Sequence, residues 1–201
     1  MFGWLQRIFR PRNKFDLDPA RRRMRPVRVR LFAPGDFETC IDLYRLNEPD
    51  RFPPGILPQF ERSLQDGTAL YLVIEDVGRV IACGGVYVVR AAHIEIGFLS
   101  FGLVHPERHN QGFGTTLLLA RLALLPEDVS VVALLPVPAS ESFYRRFGFR
   151  ERGRVKATDG NAYLAYAAPV CRDDLEECRI LLDRAGVQLP EGDIAVPVRE
   201  V

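Results

Sequence analysis

The sequence predicts a mixed α/β domain built on one sheet, and three observations carry that expectation. The chain of 201 residues is 47% hydrophobic and 26% charged, the composition of one globular domain rather than of a disordered or low-complexity chain. Apolar runs of period two alternate along it with stripes of three-and-four spacing, so strands and helices interleave. Between a strand and a leucine-rich helix, Gly112 and Gly114 share a single first turn. Each glycine costs a helix about 1 kcal/mol relative to alanine, so the pair calls for a compensating role.

Val27, Val29 and Leu31 alternate with Arg28 and Arg30 as in a half-buried strand. Pro34-Gly35-Asp36 stops that strand and opens a helix to about Leu46, whose apolar stripe is Phe37, Cys40, Ile41 and Tyr44. Residues 47–58 are rich in proline and turn formers and read as a loop, followed by a short helix through Phe60 and Leu64. Strands follow over 69–75 and 80–90, joined by the hairpin turn Asp76-Val77-Gly78-Arg79, with Gly84-Gly85 marking a bulge or close backbone approach. A third strand spans 94–104. The period then changes: 105–111 is a loop and 112–125 a helix whose Leu117, Leu118, Leu122 and Leu125 face a core. A buried strand over 129–135 ends at Pro136, a helix covers 139–147, and strands over 149–156 and 161–168 complete the pattern. Beyond Cys171, residues 173–185 form one more amphipathic helix, ended by Gly186. The expected organisation is a basic, aromatic N-terminal appendage over 1–25, a main domain over 26–169, and a C-terminal helix and tail over 170–201.

The net charge of +1 excludes a globally basic nucleic-acid binder, but it conceals an asymmetry. Residues 1–30 hold ten Lys and Arg against Asp16 and Asp18, a balance of +8 that leaves −7 for the rest. Phe2, Trp4, Leu5, Ile8 and Phe9 would gather on one side of a short helix beside Arg7 and Arg10. Residues 1–12 are therefore either a peripheral membrane or partner-docking segment or a tail that packs on its own domain. No nucleic acid is expected, since no stacking aromatics are interleaved with the arginines of 21–25. Cys40, Cys83, Cys171 and Cys178 lack the paired spacing of zinc or redox motifs, so no metal is expected and the thiols read as reduced, in a cytoplasmic protein. Arg121 interrupts the leucine-rich stretch Leu117 to Leu125 before it could approach a membrane span.

The glycine turn carries the chemistry. Without Cβ atoms, the N–H groups of the turn from Asn110 to Thr115 can meet a phosphate at the positive end of a helix dipole. A purely structural turn is the alternative reading. The lysine of a nucleoside-triphosphate loop and the third glycine of a dinucleotide fingerprint are both missing. Val104-His105-Pro106-Glu107 followed by Asn110-Gln111-Gly112-Phe113-Gly114-Thr115 resembles the acetyl-CoA signature of the GNAT superfamily of N-acetyltransferases. Downstream, Ser142-Phe143-Tyr144-Arg145-Arg146-Phe147-Gly148-Phe149 is similar to that superfamily's aromatic "FY…GF" segment, and the element order over 27–168 fits the same fold.

The resemblance implies a GNAT-like acyltransferase fold: a central, mostly antiparallel sheet with a splayed strand pair, flanked by helices. It implies acetyl-CoA, or another acyl-CoA, as the acyl donor. Its pyrophosphate would lie on the turn formed by His109, Asn110, Gln111, Gly112, Phe113, Gly114 and Thr115, and its pantetheine arm on Gly102, Leu103 and Val104. Tyr144 is implied as the acid that serves the departing thiolate, and a backbone N–H near Val104 as the oxyanion donor. Pro136 agrees independently, since it lacks an N–H and cannot continue the ladder at the mouth of a cleft.

The general base is open. Relatives often place a carboxylate in the strand over 129–135, which has none; Glu95 is the first candidate, with His93 and Glu141 behind it, and deprotonation through water fits equally well. His109 stands where Gln or Arg is usual, and Val137 where an asparagine often bonds the cofactor. The expected function is acetyl-CoA-dependent N-acetylation of a primary amine of a small molecule or protein. The rival reading is a noncatalytic acyl-CoA-binding sensor or interaction module. The acidic balance after residue 30 favours cationic amines by steering. A homodimer is compatible with the family, although no segment specifies one.

Overall fold

A computed structural model describes residues 14–22, 24–48, 52, 55–91, 94–156 and 161–200. The proposed docking segment at 1–12 and His93 lie outside the described residues. The strands are β1 (Arg28–Leu31), β2 (Leu70–Asp76), β3 (Arg79–Ala91), β4 (Ile94–Val104), β5 (Val131–Leu134), β6 (Arg150–Lys156), β7 (Ala162–Pro169) and β8 (Val198–Glu200). The helices are α1 (Phe37–Asn47), α2 (Leu57–Gln65), α3 (Phe113–Ala123), α4 (Glu141–Arg146) and α5 (Arg172–Arg184). Every segment expected from periodicity is present, with ends moved by a few residues. The three-residue β8 is an addition, too short and too exposed to leave a pattern in the sequence.

One sheet has the order β1-β2-β3-β4-β5-β7-β6 and is antiparallel except where β4 meets β5, with β8 lying parallel to β3. Alternation along β2 sorts its side chains between two layers. Leu72 and Ile74 enter a core with Leu117, Leu118 and Leu122 of α3 and Leu175, Cys178 and Leu182 of α5. Tyr71 and Val73 enter a second core with Cys40, Ile41 and Tyr44 of α1 and Phe60 and Leu64 of α2. Helices thus cover both faces, and burying each leucine contributes on the order of 2 kcal/mol.

Packing joins parts of the first and last stretches to the core of the middle one. Phe15, Leu17 and Ala20, expected within the appendage, are buried in the α3-side core. The Phe15 ring meets Phe149 edge-on at 6.0 Å. The C-terminal helix α5 contributes to that same core, and β8 extends the edge of β3 beyond the end of β2. Short apolar runs flanked by charge do not show in sequence which surface they will cover.

Two irregularities in the middle of the sheet position the site. Pairing of β4 with β5 stops at Leu99 and Leu134, so the last five residues of β4 have no β5 partner. On the other side, the β3–β4 register shifts between Cys83 and Gly85, where Leu103 and Ser100 are the flanking partners. Phe101 in this bulge has φ +42°, a left-handed conformation that is strained for a bulky residue.

Candidate active site

A cavity of about 600 Å³ opens where β4 and β5 part. Its outer wall is the start of α3. Gly112 precedes that helix with φ +96°, a conformation open to glycine and costly for a residue with a Cβ. The first i→i−4 bond runs from the Thr116 N–H to the Gly112 carbonyl at 3.0 Å. The N–H groups of Phe113, Gly114 and Thr115 precede it and are therefore free of the helix ladder. Asn110 is also left-handed, φ +60°, which with Gly112 folds the backbone into a concave turn suited to an anion. The donors present fit a pyrophosphate.

His109, Asn110, Gly112, Gly114 and Thr115 line the cavity, as do Gly102 and Val104. Three other expected residues do not. Phe113 is buried in the α3-side core, and Leu103 in the α1-side core. Gln111 donates from Nε2 to the Glu107 carbonyl at 2.7 Å and holds the loop in place. The Val104 carbonyl accepts from His109 Nε2 at 2.8 Å and from Asn47 Nδ2 at 3.1 Å. That acceptor is consequently engaged by the protein itself. The unpaired edge available to an arm-like ligand lies just upstream, at Ser100–Leu103.

The inner wall carries Tyr144. It is only 9% exposed, held edge-on between Phe143 and Phe149 with centroids at 5.0 and 5.6 Å, and its hydroxyl reaches the cavity beside Gly102. A Cβ on Gly102 would stand 3.4 Å from that oxygen, and 3.2 Å from Arg121 Nη2. Glycine here keeps the space between phenol and guanidinium open.

Glu95 is not brought to the cavity. It sits at the opposite end of β4, seven residues and so roughly 20 Å from Gly102, and accepts from Arg90 Nε at 2.6 Å. Its place near the start of the strand rather than the bulge is the physical reason it falls outside. Glu141 is also committed elsewhere, accepting from the Tyr166 hydroxyl at 2.7 Å and from Arg145 Nη2 at 3.2 Å. The residue that sequence reasoning missed is Arg121, which lines the cavity from α3. Its signal was present: it is four residues after Leu117 in an otherwise uncharged helix, and so lies on the core-facing side.

Among the described residues, no group of three or more His, Cys, Asp or Glu could hold a metal ion. No helix among them is long and apolar enough to cross a membrane.

Residues 67–151 match the family model described as "Acetyltransferase (GNAT) domain". No curated protein matches the chain in sequence. Among solved structures, it is similar to a putative acetyltransferase of the GNAT family from Desulfovibrio desulfuricans, with TM-score 0.58 and 16% identity over 71% of this chain and 98% of that one. The ribosomal-protein-S18-alanine N-acetyltransferase from Escherichia coli gives TM-score 0.53 and 18% identity, over 71% and 93% of the two chains. The paia N-acetyltransferase from Thermoplasma acidophilum, solved with coenzyme A, gives TM-score 0.55 and 15% identity, over 72% and 99%. These likenesses establish a shared fold.

Proposed function

From the match of residues 67–151 to the GNAT acetyltransferase family model, we propose that this chain transfers an acyl group, acetyl in the simplest case, from a CoA thioester to a primary amine of a small molecule or protein. One observation carries the reading. A single cavity joins the N–H groups opening α3 to the Tyr144 hydroxyl, along an edge of β4 that lacks a strand partner. Bound acyl-CoA supplies the activated carbonyl. The N–H groups of Phe113, Gly114 and Thr115 hold the pyrophosphate, and the unpaired backbone of 100–103 aligns the arm.

At the bulge, the backbone N–H groups of Phe101 and Gly102 face developing negative charge on the carbonyl oxygen. In this proposal the oxyanion donors are two and three residues before Val104, near which the resemblance implies one. Tyr144 gives its phenolic proton to the departing sulfur. The amine enters neutral and sheds its proton to water, since Glu95 and Glu141 are both held in ion pairs away from the cavity. Three of the four free cysteines are buried, which supports work in a reducing compartment such as the cytoplasm.

The test is amine-dependent release of free thiol from acetyl-CoA by the full chain, with Tyr144→Phe beside it. Turnover is expected, with kcat of the variant lower by about 10²- to 10⁴-fold and little change in CoA affinity. Tight CoA binding with no thiol release from acetyl-CoA, a longer acyl-CoA or a carboxylated acyl-CoA on any amine would instead assign a noncatalytic binding module.

A further inference from the structure

Among the described residues the most deeply buried charge is Arg121, 2% exposed. Taking a cation out of water is costly unless an anion or a full set of acceptors replaces the lost hydration. Arg121 has neither. Among the described residues no carboxylate lies within ion-pair distance of it. A guanidinium has five N–H donors, and this one meets three carbonyls. Nε donates to Leu117 O at 3.1 Å, while Nη1 reaches Gly85 O and Ser100 O only at 3.5 Å, the outer limit of a bond.

Nη2 has no acceptor among the described residues; it stands 3.2 Å from a Cβ position on Gly102, and both residues line the cavity. Room for the group is made on both sides. A Cβ on Gly84 would likewise press to 3.2 Å from Nη1. The guanidinium is thus seated beneath the bulge, and a Cβ on Gly102 would touch both its Nη2 and the Tyr144 hydroxyl, so the free donors and the phenol border the same space in the cavity.

We propose that Arg121 selects an acyl group ending in a carboxylate, so that the preferred donor is the CoA thioester of a short dicarboxylic acid rather than acetyl-CoA. The inference rests on the acyl-CoA reading of this cavity. A methyl group beside Arg121 would leave the cation uncompensated. A carboxylate one or two methylenes beyond the carbonyl would neutralise it through charge-assisted, paired hydrogen bonds. The transfer balances without an added reactant. The amine nitrogen forms a bond to the thioester carbon as the C–S bond breaks, the amine loses one proton to water, and the thiolate takes one from Tyr144, which recovers it from solvent. The distal carboxylate leaves unchanged on the new amide.

Calorimetric titration of the full chain with CoA, butyryl-CoA and succinyl-CoA tests this, because the two acyl groups have the same carbon count and differ in a terminal methyl or carboxylate. Malonyl-CoA against propionyl-CoA repeats the test one carbon shorter. At least one carboxylated member is expected to bind about ten-fold tighter or more than its neutral counterpart, and Arg121→Met to erase the difference. Should that variant not fold, the wild-type ratio still decides. Gly102→Ala, which keeps the charge but fills the space before it, is expected to shrink the ratio too. Equal binding of both pairs, or preference for the neutral members, overturns the inference while leaving the acyl-CoA site standing. A preference that survives in both variants overturns the role of Arg121. Failure of CoA itself to bind overturns the site reading and this inference together.

Discussion

Two arginines beside the same sheet keep opposite company. At the sheet edge, Arg30 of β1 donates to Asp36 from Nη1 at 2.6 Å and Nη2 at 2.9 Å, and to Glu75 from Nε at 2.9 Å. In the middle, beneath the bulge of β4, Arg121 meets only carbonyls. The edge region is closed on itself: Asp36 also accepts from the Ala33 N–H at 2.8 Å, which ties β1 to the turn before α1. The middle region has surplus positive charge facing a cavity. Charge satisfied within the chain builds structure, whereas charge left over beside a cavity is available to a ligand.

The comparison is most directly broken by removing the partner at the edge. Asp36→Asn leaves Arg30 short of one anion and is expected to cost about 2 kcal/mol of stability in chemical denaturation. Its pH dependence has a definite sign. Hydrogen bonds from Arg30 hold the Asp36 carboxyl below its ordinary value of 3.8, against the opposing effect of burial. The contribution is therefore fully present above about pH 4 and is lost as pH falls through the depressed folded value. The wild-type protein should lose more stability than Asp36→Asn on acidification below pH 4. Parallel curves for the two proteins would deny the pair its structural role.

Arg121→Met should behave differently, with a change of stability within about 1 kcal/mol of zero. An apolar side chain of similar length removes an uncompensated buried charge at the cost of one well-formed and two marginal hydrogen bonds. A loss as large as that of Asp36→Asn would make Arg121 a structural brace, and the contrast between edge and middle would disappear.

What the sequence disclosed follows the same division. The α3 turn was legible because its geometry is written in glycines: a backbone that bends left-handed at Gly112 leaves a residue-level mark. Tyr144 stands out through the resemblance of 142–149 to the superfamily's aromatic segment, since spacing alone fits a core aromatic, and the structure puts it on the cavity wall. The bulge was half legible, through Gly84-Gly85, but the strained residue is Phe101, on the partner strand, and nothing in its chemistry announces a positive φ. In the sequence Arg121 is only an interruption of leucines. Which charge in an apolar helix is buried depends on the sheet it faces, and that is a long-range fact. The packing of Phe15 and Leu17 was hidden for the same reason.

The smallest expected effect is at Glu95, where the sequence first pointed for a base. One strand carries both situations: at the bulge its backbone lacks a β5 partner, while near its start Ile96 pairs with Val131 on one side and Val89 on the other. Glu95 belongs to the paired end, against Arg90, which also donates to Glu200 at 3.0 Å. Glu95→Gln preserves an acceptor for Arg90 and leaves that arginine its second carboxylate. It places no change near Gly102, Tyr144 or the α3 turn. kcat and kcat/KM in the thiol-release assay should therefore stay within about twofold of wild type across pH 6 to 9, since general-base removal would cost about 10²-fold or more. A drop of that size, or a shift of the acidic limb of the rate profile, would show that proton removal reaches the site from the far end of β4 and that the two ends of the strand are one functional unit.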